Sequence, residues 1–202
     1  MVRREEQPWH TSATIILDRR AMSHHGSGQD STFEICVSLV ASVAMHLQAH
    51  GLQVRVIDLS ATTIASGESE YDPEGMLLDA LAVLELSAET EVAAGATLRR
   101  CVADSSVFAV ASQLSPDHAQ VLAAIRPPST VAAAIIVDPA GWTADDAAIG
   151  SAATTAHTLG SHGWRVSTLE GHSIAGRDTA MVTAWNALTS AAALSALGGA
   201  PR

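Results

Sequence analysis

Residues 13–18 read ATIILD, residues 31–50 read STFEICVSLVASVAMHLQAH, and residues 52–59 read LQVRVIDL. The first run is apolar at consecutive positions and stops at an acid. A strand apolar on both faces is one covered on both faces, the condition of a central parallel strand. In the second run Phe33, Val37, Val40, Ala44 and Leu47 recur at the spacing of a helical stripe. Ser31 and Glu34 make the S-x-x-E capping box, and Gly51 stands where a helix needs a left-handed residue to end. The third run alternates and reads as a second strand. Strand, long helix and strand in succession form a βαβ unit, whose crossover is right-handed on steric grounds.

Outward from this unit the alternation continues. Residues 61–72 are polar and read as a loop; Pro73 fits the first position of a helix that continues over Met76 to Leu86, and residues 87–104 have room for one short helix. Ser106 to Ser112 is a third strand. Ser115 and Pro116 open a helix to Ile125 that Pro127 and Pro128 break. Val131 to Asp138 is a fourth strand, an alanine-rich helix capped by Thr143 covers about 144–160, and Trp164 to Leu169 is a fifth. A last helix over about 173–189 carries Met181, Trp185 and Leu188 on one face. The expected fold is α/β: a three-layer, doubly wound, mostly parallel sheet with helices on both faces. Residues 1–12 read as an arm or edge strand, 13–190 as the domain, and 191–202 as a flexible tail.

Composition narrows the function. The chain has 202 residues, a net charge of -10 and no lysine. The arginine-only usage fits a GC-rich genome. An acidic surface without a basic stripe argues against nucleic acid. Cys36 and Cys101 form no C-x-x-C pair and read as reduced thiols, Cys36 as a buried apolar residue. No signal peptide is evident and no segment is expected to insert in a membrane, so the chain reads as soluble.

In doubly wound sheets ligands bind at the carboxyl ends of strands, so the loop after Asp18 is the first place to look. His24-His25-Gly26 lacks an accompanying acid or cysteine and reads as solvated loop histidines. His46 and His50 share a helix face at i, i+4 without an H-E-x-x-H motif and read as a surface stripe. Gly26-x-Gly28-x-x-Ser31 with Asp58 echoes a dinucleotide fingerprint, but its third glycine is missing and it begins eight residues after Asp18. There is no P-loop and no G-x-S-x-G elbow. Glu68, Glu70, Asp72 and Glu74 form an acidic cluster without EF-hand spacing and read as a solvated loop.

An apolar strand ending in aspartate, a loop and a long helix resemble the start of a von Willebrand factor A domain. VRREEQPW (2–9), LDRRA (17–21), LLDALAVLE (77–85), GWRV (163–166) and TAMVTAWNAL (179–188) together resemble the bacterial family catalogued as domain of unknown function 58. The resemblance covers roughly the whole chain. It implies membrane-spanning helices ahead of this domain, gene neighbours encoding MoxR-type AAA+ ATPases, and a family segment before residue 2, so that this chain corresponds to the C-terminal portion of such a protein. A cytoplasmic domain tethered through a preceding region is the expected setting.

The family's metal motif is D-x-S-x-S, in which an aspartate and two hydroxyls hold a hard cation. Here it reads Asp18-Arg19-Arg20-Ala21-Met22. Arg20 cannot ligate a cation, and the Met22 thioether is a ligand that hard cations reject. After the third strand, where a later acid belongs, stands Gln113. No metal and no cofactor are therefore expected. Arg19 or Arg20 is expected to pair with Asp18, supplying in cis the charge a metal would supply. The expected function is a non-catalytic interaction or scaffold domain whose partner is a protein, a AAA+ ATPase by the resemblance. Its contacts are expected in loops 19–30, 60–75 and 112–117, with Arg19, Arg20, His24, His25, Asp30 and Gln113 as candidates. The alternative is a nucleotide- or metal-binding enzyme that uses the 18–31 loop.

Overall fold

A computed structural model describes residues 12–66, 73–103, 105–128, 130–139 and 152–170. Six strands form one sheet: β1 (Ser12–Leu17), β2 (Gln53–Asp58), β3 (Thr63–Ser66), β4 (Ser106–Ala111), β5 (Ala132–Asp138) and β6 (Arg165–Glu170). Their order is β3-β2-β1-β4-β5-β6. Five run parallel and β3 is antiparallel to β2. The helices are α1 (Thr32–Ala49), α2 (Pro73–Ala82), α3 (Gly95–Cys101), α4 (Pro116–Ala124) and α5 (Ala152–Ser161). The order reverses beside β1, between crossovers that leave towards β2 and towards β4, which is where such sheets place their ligand crevice.

The α/β reading with a mostly parallel sheet holds. Ser31 caps α1 by accepting from the Glu34 N–H at 3.2 Å, and Gly51 leaves the helix at φ 80°. Ser115 caps α4 by accepting from the His118 N–H at 3.2 Å, with Pro116 at the first turn.

Alternate residues of β1, β2, β4 and β5 enter different cores. Ile15, Leu17, Val56 and Val110 pack with α1 and α2, whereas Ile16, Ile57, Val107 and Ala109 pack with α3, α4 and α5. The period of two along a strand sends neighbours to opposite faces, so continuous apolar runs supply both cores. Each fully buried leucine or isoleucine contributes roughly 1.5–3 kcal/mol.

Three expectations are corrected. Thr63–Ser66, expected as loop, is the antiparallel edge strand, held by β2 rather than by any pattern of its own. Helix α2 ends at Ala82 rather than Leu86, because the chain beyond it pairs with the Arg19–Ala21 loop. Helix α1 is long and apolar enough by composition to cross a membrane, contrary to the expectation that no segment is; here half of it is buried inside the fold. The Thr143 cap, the helix over 173–189, the tail and residues 1–11 of the arm lie outside the described residues, and Ser12, counted with the arm, is the first residue of β1.

Candidate functional site

Two neighbouring strands, β1 and β2, each deliver an aspartate to the carboxyl edge of the sheet. Leu17 of β1 lies in register with Asp58 of β2, and Asp18 follows directly. Asp18 is fully buried and Asp58 nearly so. Two buried carboxylates side by side need countercharges, because an uncompensated charge in this environment costs several kcal/mol, on the order of 3–5.

Two consecutive arginines supply them. The backbone at Arg20 is extended, so successive side chains leave in opposite directions. The Arg19 guanidinium donates through Nε to Asp58 Oδ2 at 2.8 Å. Arg20 turns back onto Asp18 in a two-pronged pair, Nε to Oδ1 at 2.9 Å and Nη2 to Oδ2 at 2.9 Å. The Arg20 backbone N–H adds a third donor to Asp18 Oδ1 at 3.1 Å. The other Asp58 oxygen accepts from the N–H groups of Ser60 and Thr62, both at 2.9 Å, and from the Ser60 hydroxyl at 2.6 Å.

Arg20 reaches further. Its Nη1 donates to the Thr90 carbonyl at 3.2 Å and to His118 Nδ1 at 2.8 Å, while His118 Nε2 faces a Glu91 carboxylate oxygen at 3.8 Å. The segment after α2 lies across the same strand ends: Ser87 N–H donates to the Arg19 carbonyl at 2.7 Å and Ala21 N–H to the Ser87 carbonyl at 2.8 Å. Sequence reasoning missed Glu91, Thr90 and His118. The Ser115-Pro116 helix start, which sets His118 at the carboxyl edge, was the available signal for the last.

The histidines are built into the loop rather than solvated, contrary to expectation. His24 Nε2 donates to the Asp18 carbonyl at 2.8 Å, Nδ1 faces Thr32 Oγ1 at 3.1 Å, and the ring meets Phe33 edge-on with centroids 5.3 Å apart. Burial pushes the His24 pKa below 6.5, against the pull of the Asp18 charge and with help from Arg20 and His25. His25 donates through Nε2 to Gln113 Oε1 at 3.2 Å. The Gln113 backbone N–H donates to the Ser23 carbonyl at 3.4 Å, which ties the end of β4 to this loop.

Of the six candidate contact residues, Arg20 and Gln113 are buried, Arg19, His24 and His25 are half-buried, and Asp30 is exposed. Arg20 and Gln113 hold the loop and cannot present their side chains to a partner. Asp58, which a dinucleotide would need for its ribose, is fully engaged with Arg19, Ser60 and Thr62.

The residues present do not fit the cation that a D-x-S-x-S site holds. Both Asp18 oxygens receive guanidinium N–H groups, and Met22 is an exposed thioether. Among the described residues no group of three or more His, Cys, Asp or Glu side chains is placed to hold a metal ion. The rings of His46, on α1, and His50, just past its end, lie tilted to each other with centroids 4.2 Å apart, and His50 Nδ1 donates to the His46 carbonyl at 2.8 Å. The acidic side chains at 68–74 lie outside the described residues.

No family model matches the chain, and no curated protein matches it. Among solved structures it is similar to the D319A mutant of the PilB minor pilin from Streptococcus sanguinis, with a TM-score of 0.58 at 8% sequence identity. The match covers 94% of this chain, which spans 63% of the length of that one. At that identity the likeness is one of fold alone.

Proposed function

We propose that this chain is a non-catalytic protein-interaction domain of the von Willebrand factor A-like kind, with an internal guanidinium where such domains hold a cation. The observation that carries this reading is the two-pronged Arg20–Asp18 pair, buried at the end of the first strand. A planar guanidinium satisfies a carboxylate's geometry and charge together. A cation entering there would have to expel Arg20 and leave it buried without a countercharge. The polar groups around the pair spend their hydrogen bonds on one another, which makes the loop a rigid platform rather than a reactive centre.

The two cores, one with α1 and α2 and the other with α3, α4 and α5, support a three-layer arrangement. The resemblance to domain of unknown function 58 supplies the setting: a cytoplasmic domain, attached to a membrane through a preceding region, that works with a MoxR-type AAA+ ATPase.

Titration of the protein with Mg²⁺ and Mn²⁺ by calorimetry, with Asp18→Ala as control, tests the reading. No heat and an unchanged melting temperature are expected, followed by capture of the ATPase in a pull-down. Heat that disappears in Asp18→Ala would overturn it and make this a cation-dependent adhesion site.

A further inference from the structure

Five large apolar side chains are exposed among the described residues: Met22, Met76, Leu78, Val83 and Leu86. Scattered singly, such residues mean nothing. These are not scattered. Four lie within residues 76–86, on α2 and the segment that follows it. Met22 borders that segment, because it follows Ala21, whose N–H donates to the Ser87 carbonyl at 2.8 Å. Helix α2 turns Leu77 and Leu81 into the core, while Met76 is 58% exposed and Val83, seven positions on, is 78% exposed. The loop after α2 stays at the surface because its backbone is held by Arg19 and Ala21.

The exposed charges of this segment are acidic, and the arginines that reach its backbone, Arg19 and Arg20, are already paired with Asp58 and Asp18. Residues 56–98 contain no arginine, lysine or histidine, whereas eight of the chain's 21 acids fall between 68 and 91. Asp79, Glu85, Glu89 and Glu91 are exposed beside the apolar residues. Such a surface repels anionic lipid head groups and a second copy of a chain whose net charge is -10. It complements a segment that carries cations along the edge of an apolar stripe.

We infer that the surface of α2 and residues 83–91 is a docking site for a basic amphipathic helix of another protein. Apolar side chains of that helix would lie on Met76, Val83 and Leu86, and its lysines or arginines would face Asp79, Glu85 and Glu89. This is the helix-on-apolar-surface mode of recognition, in which apolar anchors give affinity and charge gives approach and orientation. The inference deepens the interaction-domain reading and rests on it.

The test uses the full chain and two synthetic helical peptides, one of leucine and lysine and one of leucine and glutamate, followed by fluorescence anisotropy. Saturable binding of the lysine peptide is expected, weakened by salt, with none of the glutamate peptide. A Met76→Ser/Val83→Ser variant that keeps the parent melting temperature should bind about tenfold or more weakly, a loss of about 1.4 kcal/mol. Equal binding by parent and variant, or no binding at all, overturns the assignment. So does failure of a thiol reagent to label Val83→Cys in the folded chain, which would show that the chain itself covers the surface. Silence in the cation titration with no peptide binding would defeat the docking surface alone. Cation heat that depends on Asp18 would defeat the reading of the strand-end loop instead.

Discussion

Arg19 and Arg20 each neutralise a buried carboxylate, and the two pairs differ in consequence. The Arg19 side chain is partly exposed, whereas Arg20 and Asp18 are both buried. Replacing Arg20 with methionine strands the Asp18 charge and should cost about 3–5 kcal/mol in urea unfolding. Adding Asp18→Asn should recover most of that loss. A double variant as unstable as the sum of the singles would show that the pair is not coupled. His24 donates to the main-chain carbonyl of the same aspartate. Its folded pKa lies below 6.5, the ordinary value, so in the window between the two the unfolded chain binds more protons. Stability therefore rises with pH through that window and is lost as pH falls below 6.5. His46, pushed down by partial burial and by His50, adds to the slope in the same direction. Melting temperatures from about pH 7 to about pH 5 should fall less steeply in His24→Gln; an unchanged slope would assign the effect elsewhere. That no hydroxyl stands at positions 20 and 22 was legible in the order of residues 18–22. Which arginine closes on Asp18, and that His118 receives the other end of it, were not, because both depend on backbone direction and on residues 98 positions apart.

Among the elements, α1 was the most legible because its stripe, cap and terminator agree. Ser31→Ala removes the acceptor for the Glu34 N–H and should lower global stability by about 1 kcal/mol by chemical denaturation. A loss confined to local hydrogen exchange at residues 32–35 would mean instead that the first turn frays independently. The same helix buries Cys36, whose thiol pKa burial raises well above its ordinary value, so this side chain belongs to the core. The edge strand β3 was illegible for the opposite reason. Four residues carry too little pattern, and their strand state comes from hydrogen bonds offered by β2. The early end of α2 has a similar cause. Val83 and Leu84 favour continuing the helical pattern, but Arg19, Arg20 and Ala21 offer the next residues a set of partners that a helix could not use.

The molecule as a whole places a core on each face of one sheet, with β1, β4 and β5 lending alternate residues to both. Leu39→Ala in one core and Leu122→Ala in the other should each cost about 2–5 kcal/mol. Both should lower a single unfolding transition, since neither core can open without exposing the shared strands. Two separable transitions in calorimetry would contradict that sharing. The alternation of strands and helices, the double-sided burial of the central strands and the caps of α1 and α4 were determined by the sequence, since each depends on neighbours a few residues away. The partner of Asp18, the strap of residues 85–91 across the strand ends, the built-in histidines and the acidic apolar surface beside them were decided by tertiary structure. Each of these joins groups far apart in the chain, and their energies come from desolvation and hydrogen bonding that exist only once the strands have brought them together.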